Sequence, residues 1–390
     1  MKTRDLIEKI SKEKIVYLFN SNDGSKVKIA LGCKTSFICK SLFELKMFTS
    51  VNKGDFICLA ISYDVKNDIE SLSSSNHDEI GFPLIHASIP KEYIEISADE
   101  FTEIEKEIVE NSSFEDIILN SRISKKTYLK DVSALKNHIQ LGDIYEVNYC
   151  QEFFAKAQIN PFGQYCKLNA ISKAPFSCFV KIEDKYVLSA SPERFIKKEG
   201  NTIISQPIKG TAKRSTNKEE DNELSQDLEN NVKERAENIM IVDLVRNDLS
   251  KIAEKASVKV EELCKIYSFE TVHQMISTIS AEIKISIEFS DIIKALFPMG
   301  SMTGAPKVSA MQLIEQYEKT KRGIYSGTIG YIKPNGDFDL NVIIRSLVYN
   351  ETSSYLSSMV GGAITSKSDP LSEYEECLIK LKAVQESLKC

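Results

Sequence analysis

Several large protein classes are excluded by what this chain lacks. No apolar run approaches the roughly 18 residues that cross a membrane. The N-terminal Met1-Lys2-Thr3-Arg4-Asp5 leads into a helical pattern without the apolar core of a signal peptide. No large basic block interrupts a mildly acidic balance of −6, so nucleic acid is not an expected partner. The four histidines are dispersed, which argues against a zinc site. Nine cysteines are scattered and none forms a Cys-x-x-Cys pair; Cys33 and Cys39 are the closest two. They read as reduced residues packed as small apolar groups, which suits a cytoplasmic protein.

What is present is 390 residues of ordinary globular composition, enough for a large core in one or two domains. Residues 1–121 alternate short strand-like runs with polar turns. Lys14 to Phe19 and Phe56 to Ile61 are the best strands, and the serine-rich 71–76 stretch is a loop. This part carries no chemical constellation and reads as support. Near residue 122 the pattern changes. Thr127 to Leu141 is an amphipathic helix with Tyr128, Val132, Leu135 and Ile139 on one face, stopped by Gly142-Asp143. Residues 122–388 read as the catalytic domain, folded against the first part because no long linker separates them.

Chemistry concentrates between Ser191 and Thr211. Glu193 and Lys209 lie on two runs that read as adjacent strands, with Glu199-Gly200-Asn201 as the turn. Pairing across such a hairpin brings the two side chains close. A lysine in a closed pocket loses hydration, which favours its neutral, nucleophilic form, and a neighbouring carboxyl group can protonate a leaving hydroxyl. The same pattern also fits a surface hairpin with a salt bridge.

Asn217 to Leu249 reads as one long helix capped by Asn217, with Glu234 and Glu237 three apart on one face. The last helix repeats the device with Glu373 and Glu376, and Lys380 one turn further. Four carboxylates repel unless a cation lies between them, and magnesium takes hard oxygen ligands; two solvated helix faces are the alternative. The segment Gly300-Ser301-Met302-Thr303-Gly304-Ala305-Pro306-Lys307 precedes a helix, with Pro306 in its first turn. Its glycines suit close backbone approach, and the helix start suits an anion. Tyr325 to Tyr331 and Phe338 to Tyr349 read as a hairpin around Asn335-Gly336, and Arg345 interrupts the second strand as either a core ion pair or a carboxylate receptor. A further strand carries Gly361 and Gly362.

Together these motifs resemble the chorismate-utilising enzymes, strongly over 122–386 and loosely before. The carrying stretches are Ser191-Pro192-Glu193-Arg194, Pro207-Ile208-Lys209-Gly210-Thr211, Glu234 to Asp248, Gly300 to Lys307, Tyr325-Ser326-Gly327, Arg345, and Gly361 to Lys380. The resemblance implies an α+β fold like that of anthranilate synthase component I, with two large, mainly antiparallel sheets packed as a sandwich and helices outside. It implies Mg2+ held by Glu237 and Glu376, with Glu234 and Glu373 in or near the same shell. Lys209, Glu193 and His273 are its expected catalytic residues. Gly210, Thr211, Thr303, Tyr325, Arg345, Gly361, Gly362, Ala363 and Lys380 are its expected substrate contacts.

Within the family, Pro207-Ile208-Lys209-Gly210-Thr211 points to the aminodeoxychorismate synthase component I branch, because other branches usually carry alanine at the lysine. The isochorismate-forming and salicylate-forming members activate water with a lysine whose position here is Glu146. That leaves ammonia, drawn from a glutamine amidotransferase partner, as the expected nucleophile. Many relatives have glutamine where this chain has Glu146, histidine where it has Asn238, and glycine where it has Ala363. Ser41-Leu42-Phe43-Glu44 only loosely matches the tryptophan-site motif of some relatives. Anthranilate synthesis is the competing reaction, and an inactive chorismate-binding scaffold the non-enzymatic one.

Overall fold

The computed structural model describes residues 3–269, 272–284 and 286–390. Met1 and Lys2, the first two residues of the N-terminal stretch read from the sequence, lie outside them. Two ten-stranded sheets form the centre, nine strands of each along one path and a tenth beside it. The tenth strands are Asn120–Ser121, next to Glu146–Lys156, and Lys259–Ser268, next to Val272–Glu282, and every strand pair named here is antiparallel. The first runs, in spatial order, through Gly304–Ala305, Glu146–Lys156, Tyr355–Ile364, Ser346–Asn350, Lys185–Ser191, Phe176–Ile182, Ile15–Asn20, Val27–Leu31 and Glu92–Ile96. The second runs through Ile208–Lys213, Val272–Glu282, Thr202–Gln206, Arg194–Glu199, Phe338–Asn341, Thr328–Ile332, Ile57–Ile61, Ile85–Ile89 and Thr35–Cys39.

The sheets pack face to face, and the alternation of side chains along each strand shows how. Tyr17 and Val180 of the first sheet meet Cys58, Ala60 and Ile329 of the second in an inner core. Their neighbours Val16, Leu18 and Phe179 point the other way, into a layer containing the helices Ala98–Asn111, Lys125–Leu141 and Pro370–Ser387. Ile57, Leu59 and Ile61 likewise turn from the inner core toward the helices Leu42–Val51, Val232–Ser250 and Phe289–Leu296. The expected sandwich with outer helices is therefore present. No helix among the described residues is long and apolar enough to cross a membrane.

The division near residue 122 does not divide the core. Ile15–Asn20 pairs with Phe176–Ile182, and Ile57–Ile61 with Thr328–Ile332, so the first 121 residues complete both sheets rather than support them from outside. Two chain segments change sheets side by side. One runs from Ser191 through Pro192 and Glu193 to Arg194; the other runs from Asn341 through Arg345 to Ser346. Val342 N–H donates to the Glu193 carbonyl (3.0 Å) and Ala190 N–H to the Arg345 carbonyl (3.2 Å), which ties the crossings together. The expected strand Phe338 to Tyr349 is thus two strands in two sheets. Arg345 lies at the break, with φ +52.

Candidate active site

Glu193 owes its setting to its crossing. It is only 5% exposed; Ser301 Oγ donates to its Oε1 (2.7 Å) and the Ile208 N–H donates to its carboxyl group. Burial pushes its pKa up to about 7, against the opposing pull of Ser301 and Lys209. The expected turn is present, with Glu199 opposite Thr202 and Gly200 at φ +58. Lys209 lies beyond that hairpin. Pro207 ends the pairing, and the chain continues along the Val272–Glu282 strand as Ile208–Lys213.

The sequence reading placed Lys209 in a pocket that favours the neutral amine. The structure corrects this. Lys209 Nζ is 2.9 Å from Glu146 Oε1, and the two side chains are 10% and 1% exposed. Burial disfavours the ammonium, but Glu146, Glu237 and Glu193 outweigh it and hold the pKa above the ordinary lysine value. Gly210 follows at φ +85, and a β-carbon there would lie 3.0 Å from Leu228 and 3.2 Å from Glu234, so only glycine passes the helix without strain.

The expected long helix from Asn217 is two helices, Lys218–Asn230 and Val232–Ser250, broken at Asn231, whose side chain caps the second by accepting from Glu234 N–H. Glu234 and Glu237 therefore sit in the first two turns. Glu373 and Glu376 occupy the same place in Pro370–Ser387, capped by Asp369. The positive ends of both helix dipoles favour these carboxylates. Lys233 joins the helices, with its Nζ 3.3 Å from Glu373 Oε1 and 3.9 Å from Glu237 Oε1. Lys380 Nζ is 2.6 Å from Glu376 Oε1 and donates to the Gly361 carbonyl (2.9 Å). Burial raises Glu237 to about 7, and its Oε1 is buried without a hydrogen bond. Glu376 is lowered overall, because Lys380 and Lys233 outweigh burial.

As a magnesium site the four carboxylates fit in donor chemistry, being hard oxygen ligands with one buried oxygen unused. Among the described residues no three acidic, histidine or cysteine groups converge as they stand, and Lys233 and Lys380 pair with the carboxylates instead.

The glycine strand is open where it meets this cluster. Ser346–Asn350 pairs with Tyr355–Ile364 only as far as Ser357, leaving the Gly361-Gly362-Ala363 edge unpaired on the side away from Glu146–Lys156. A β-carbon on Gly362 would lie 3.3 Å from Glu373 Oε2 and 3.7 Å from Glu376 Oε1, so this glycine faces the carboxylates. Gly361 packs instead on Cys150, 2.4 Å from where its β-carbon would be. Arg345 is half-buried, and no hydrogen bond or ion pair holds its guanidinium among the described residues. That favours the carboxylate receptor over the core ion pair. Tyr325, 5% exposed, precedes the Thr328–Ile332 strand instead of starting it, with its hydroxyl near Cys150 Sγ.

Two expected contacts, Thr303 and Thr211, and the expected catalytic residue His273 are placed otherwise. Thr303 is fully buried, and its hydroxyl donates to the Met299 carbonyl within its own turn. Thr211 is exposed. Both ring nitrogens of His273 are engaged away from Lys209 and Glu193, Nδ1 with Ser268 Oγ (2.8 Å) and Nε2 with Asp221 Oδ1 (3.0 Å), so it ties the Lys218–Asn230 helix to the sheet. The glycines before Lys307 serve protein packing rather than an anion. Gly304, at φ +147, lies against the Glu146 carbonyl, Gly300 lies against Leu244, and Pro306 caps the helix from outside. Ser301, Lys233 and the Glu146–Lys209 pair were missed. Lys233 did carry a signal, since Lys233 and Glu237 are four apart on one helix.

Comparisons with known proteins place the chain among its relatives. The chorismate binding enzyme family matches residues 23–386. The chain belongs to that family. It is 38% identical over 269 residues to aminodeoxychorismate synthase component 1 of Klebsiella aerogenes, covering 69% of this chain and 59% of that protein. It is 34% identical over 350 residues to an anthranilate synthase component I-like protein of Synechocystis, covering 84% and 72%. The crystal structure of anthranilate synthase component I from Streptococcus pneumoniae superposes with a TM-score of 0.81 over 93% of this chain and 92% of that one, at 23% identity. That likeness carries the fold.

Proposed function

We propose that this chorismate-binding chain aminates chorismate at C4 to give 4-amino-4-deoxychorismate, with ammonia from a glutamine amidotransferase partner. One observation carries the reading: a buried lysine, Lys209, lies near enough to a buried glutamate, Glu193, for their charges to act on each other, and the Glu193 pKa of about 7 lets it hold a proton at neutral pH. Arg345 and the open edge at Gly361 to Ala363 take the enolpyruvyl carboxylate, the arginine through its planar fork. Glu193 protonates the departing C4 hydroxyl while Lys209 attacks C2 of the ring; ammonia then bonds to C4 as the lysine leaves. Glu237 and Glu376 would hold magnesium, with Glu234 and Glu373 beside them. Magnesium, when bound, neutralises the ring carboxylate of chorismate. Free cysteines throughout the described residues suit a cytoplasmic setting.

Anthranilate synthesis is the second reading, favoured by the name of the Synechocystis relative. Lys209 weighs against it, because that chemistry has no use for the amine. The deciding experiment incubates the protein and Lys209→Ala with chorismate, magnesium and ammonium, then separates the products. Aminodeoxychorismate from the wild type, falling roughly 10²-fold or more in the variant, is the expected result. Anthranilate or isochorismate as the main wild-type product overturns it.

A further inference from the structure

We infer that Glu146 takes the proton from Lys209 when the amine attacks chorismate and returns it when the amine leaves. The inference rests on the amination reading above. An ammonium cannot attack carbon, so a nucleophilic lysine needs a base within hydrogen-bond reach. Among the described residues, Glu146 supplies the one carboxylate oxygen within ion-pair distance of Lys209 Nζ, at 2.9 Å. Glu193 has the opposite task and already accepts from Ser301. Glu237 and Glu193 also face the amine electrostatically, without an ion-pair contact to it.

The side chain is built for this place. Its strand, Glu146–Lys156, belongs to the first sheet, while Lys209 comes from the second. Pairing of Glu146 with Ala305, and the tight seat of Gly304 on the Glu146 carbonyl, fix the backbone from which the carboxylate points. Glu146 Oε2 is buried and has no hydrogen-bond partner. A purely structural ion pair is a poor use of two buried charges, and the unused oxygen leaves room for a second proton position.

The steps balance. The Lys209 ammonium passes a proton to Glu146, and its lone pair forms the Nζ–C2 bond. The ring double bonds shift, and the C4–O bond breaks as Glu193 delivers its proton, releasing water. Ammonia then forms the N–C4 bond, the double bonds shift back, and the Nζ–C2 bond breaks with its electrons on Nζ. Glu146 returns its proton to the free amine, and the new C4 ammonium restores the proton of Glu193. The sum is chorismate plus ammonia giving aminodeoxychorismate plus water.

The test compares wild type, Glu146→Gln and Lys209→Ala. Ammonium-dependent kcat and KM are measured, and intact mass follows an adduct of chorismate less one water in the absence of ammonium. Glu146→Gln is expected to lower kcat and the rate of adduct formation roughly 10²-fold, with KM for chorismate within about threefold. A kcat within about threefold of wild type overturns the role. If the glutamine variant does not fold, Glu146→Ala with added formate replaces it; a rate that rises with formate supports the role, and a rate indifferent to it overturns the role. Wild type that yields no aminated product defeats the amination reading itself, a result distinct from an unimpaired Glu146→Gln.

Discussion

Ser301→Ala isolates the proton on Glu193. The hydroxyl donates to Glu193 Oε1 at 2.7 Å and so stabilises the carboxylate form. A hydrogen bond to a charged group contributes about 1.5–3 kcal/mol, and one pKa unit corresponds to about 1.4 kcal/mol. Glu193 is only 5% exposed, so water does little to replace the lost partner. Removing the hydroxyl raises the pKa from about 7 to roughly 8 or 9. In the proposed reaction Glu193 works protonated: its contribution is full below its pKa and is lost as pH rises through it. The wild-type fall in kcat/KM for chorismate is therefore expected near pH 7, and the variant's one to two units higher, by the same conversion. The assay follows aminodeoxychorismate formation from pH 5.5 to 9.5 with free ammonia held constant, since ammonia itself titrates at the alkaline end. Folding of the variant is checked by thermal unfolding. A folded Ser301→Ala whose fall stays in place or moves to lower pH refutes both the acid role and the origin of the shift.

Other consequences follow from single contacts. Lys233→Met removes the cation between Glu237 and Glu373, so the magnesium-free protein should lose a few degrees of Tm, and magnesium should restore most of it, as read by calorimetry with and without the ion. Equal losses in both conditions would show that Lys233 does not stand in for a metal charge. Arg345→Lys keeps the charge but loses the fork, and should raise KM for chorismate about tenfold with little change in kcat; an unchanged KM removes Arg345 from the carboxylate site. Gly210→Ala places a β-carbon against Leu228 and Glu234 at a positive φ, and should cost about 1–3 kcal/mol in denaturant unfolding. A neutral result there means the helix yields without strain.

Short-range features were legible because their causes are local. Gly200 at the hairpin turn, the Asn217 cap and the strand-forming run from Lys14 to Phe19 depend on residues a few positions apart. Both glutamate pairs could be read from their spacing of three, since one helical turn brings such residues together. The break at Asn231 was harder to read. The polar run around it is helix-compatible throughout, and only capping geometry shows that one helix ends and another begins.

By itself the sequence pointed to the family and to most of the strands and helices after residue 122, and it named Glu193, Lys209 and the two glutamate pairs as candidates. Tertiary structure decided which groups meet, including Ser301 and Lys233, which the sequence reading had not singled out. Ser301 reaches Glu193 across 108 positions, Lys209 reaches Glu146 across 63, and Lys233 reaches Glu373 across 140. None of these separations has a period that a pattern reader can detect. They are set by where the two chain crossings run beside each other and by which strand of one sheet faces which of the other. The same long-range packing overturned the neutral lysine. Burial favours loss of the proton, but the carboxylate that keeps it arrives from the opposite sheet, and at 2.9 Å the ion pair outweighs desolvation.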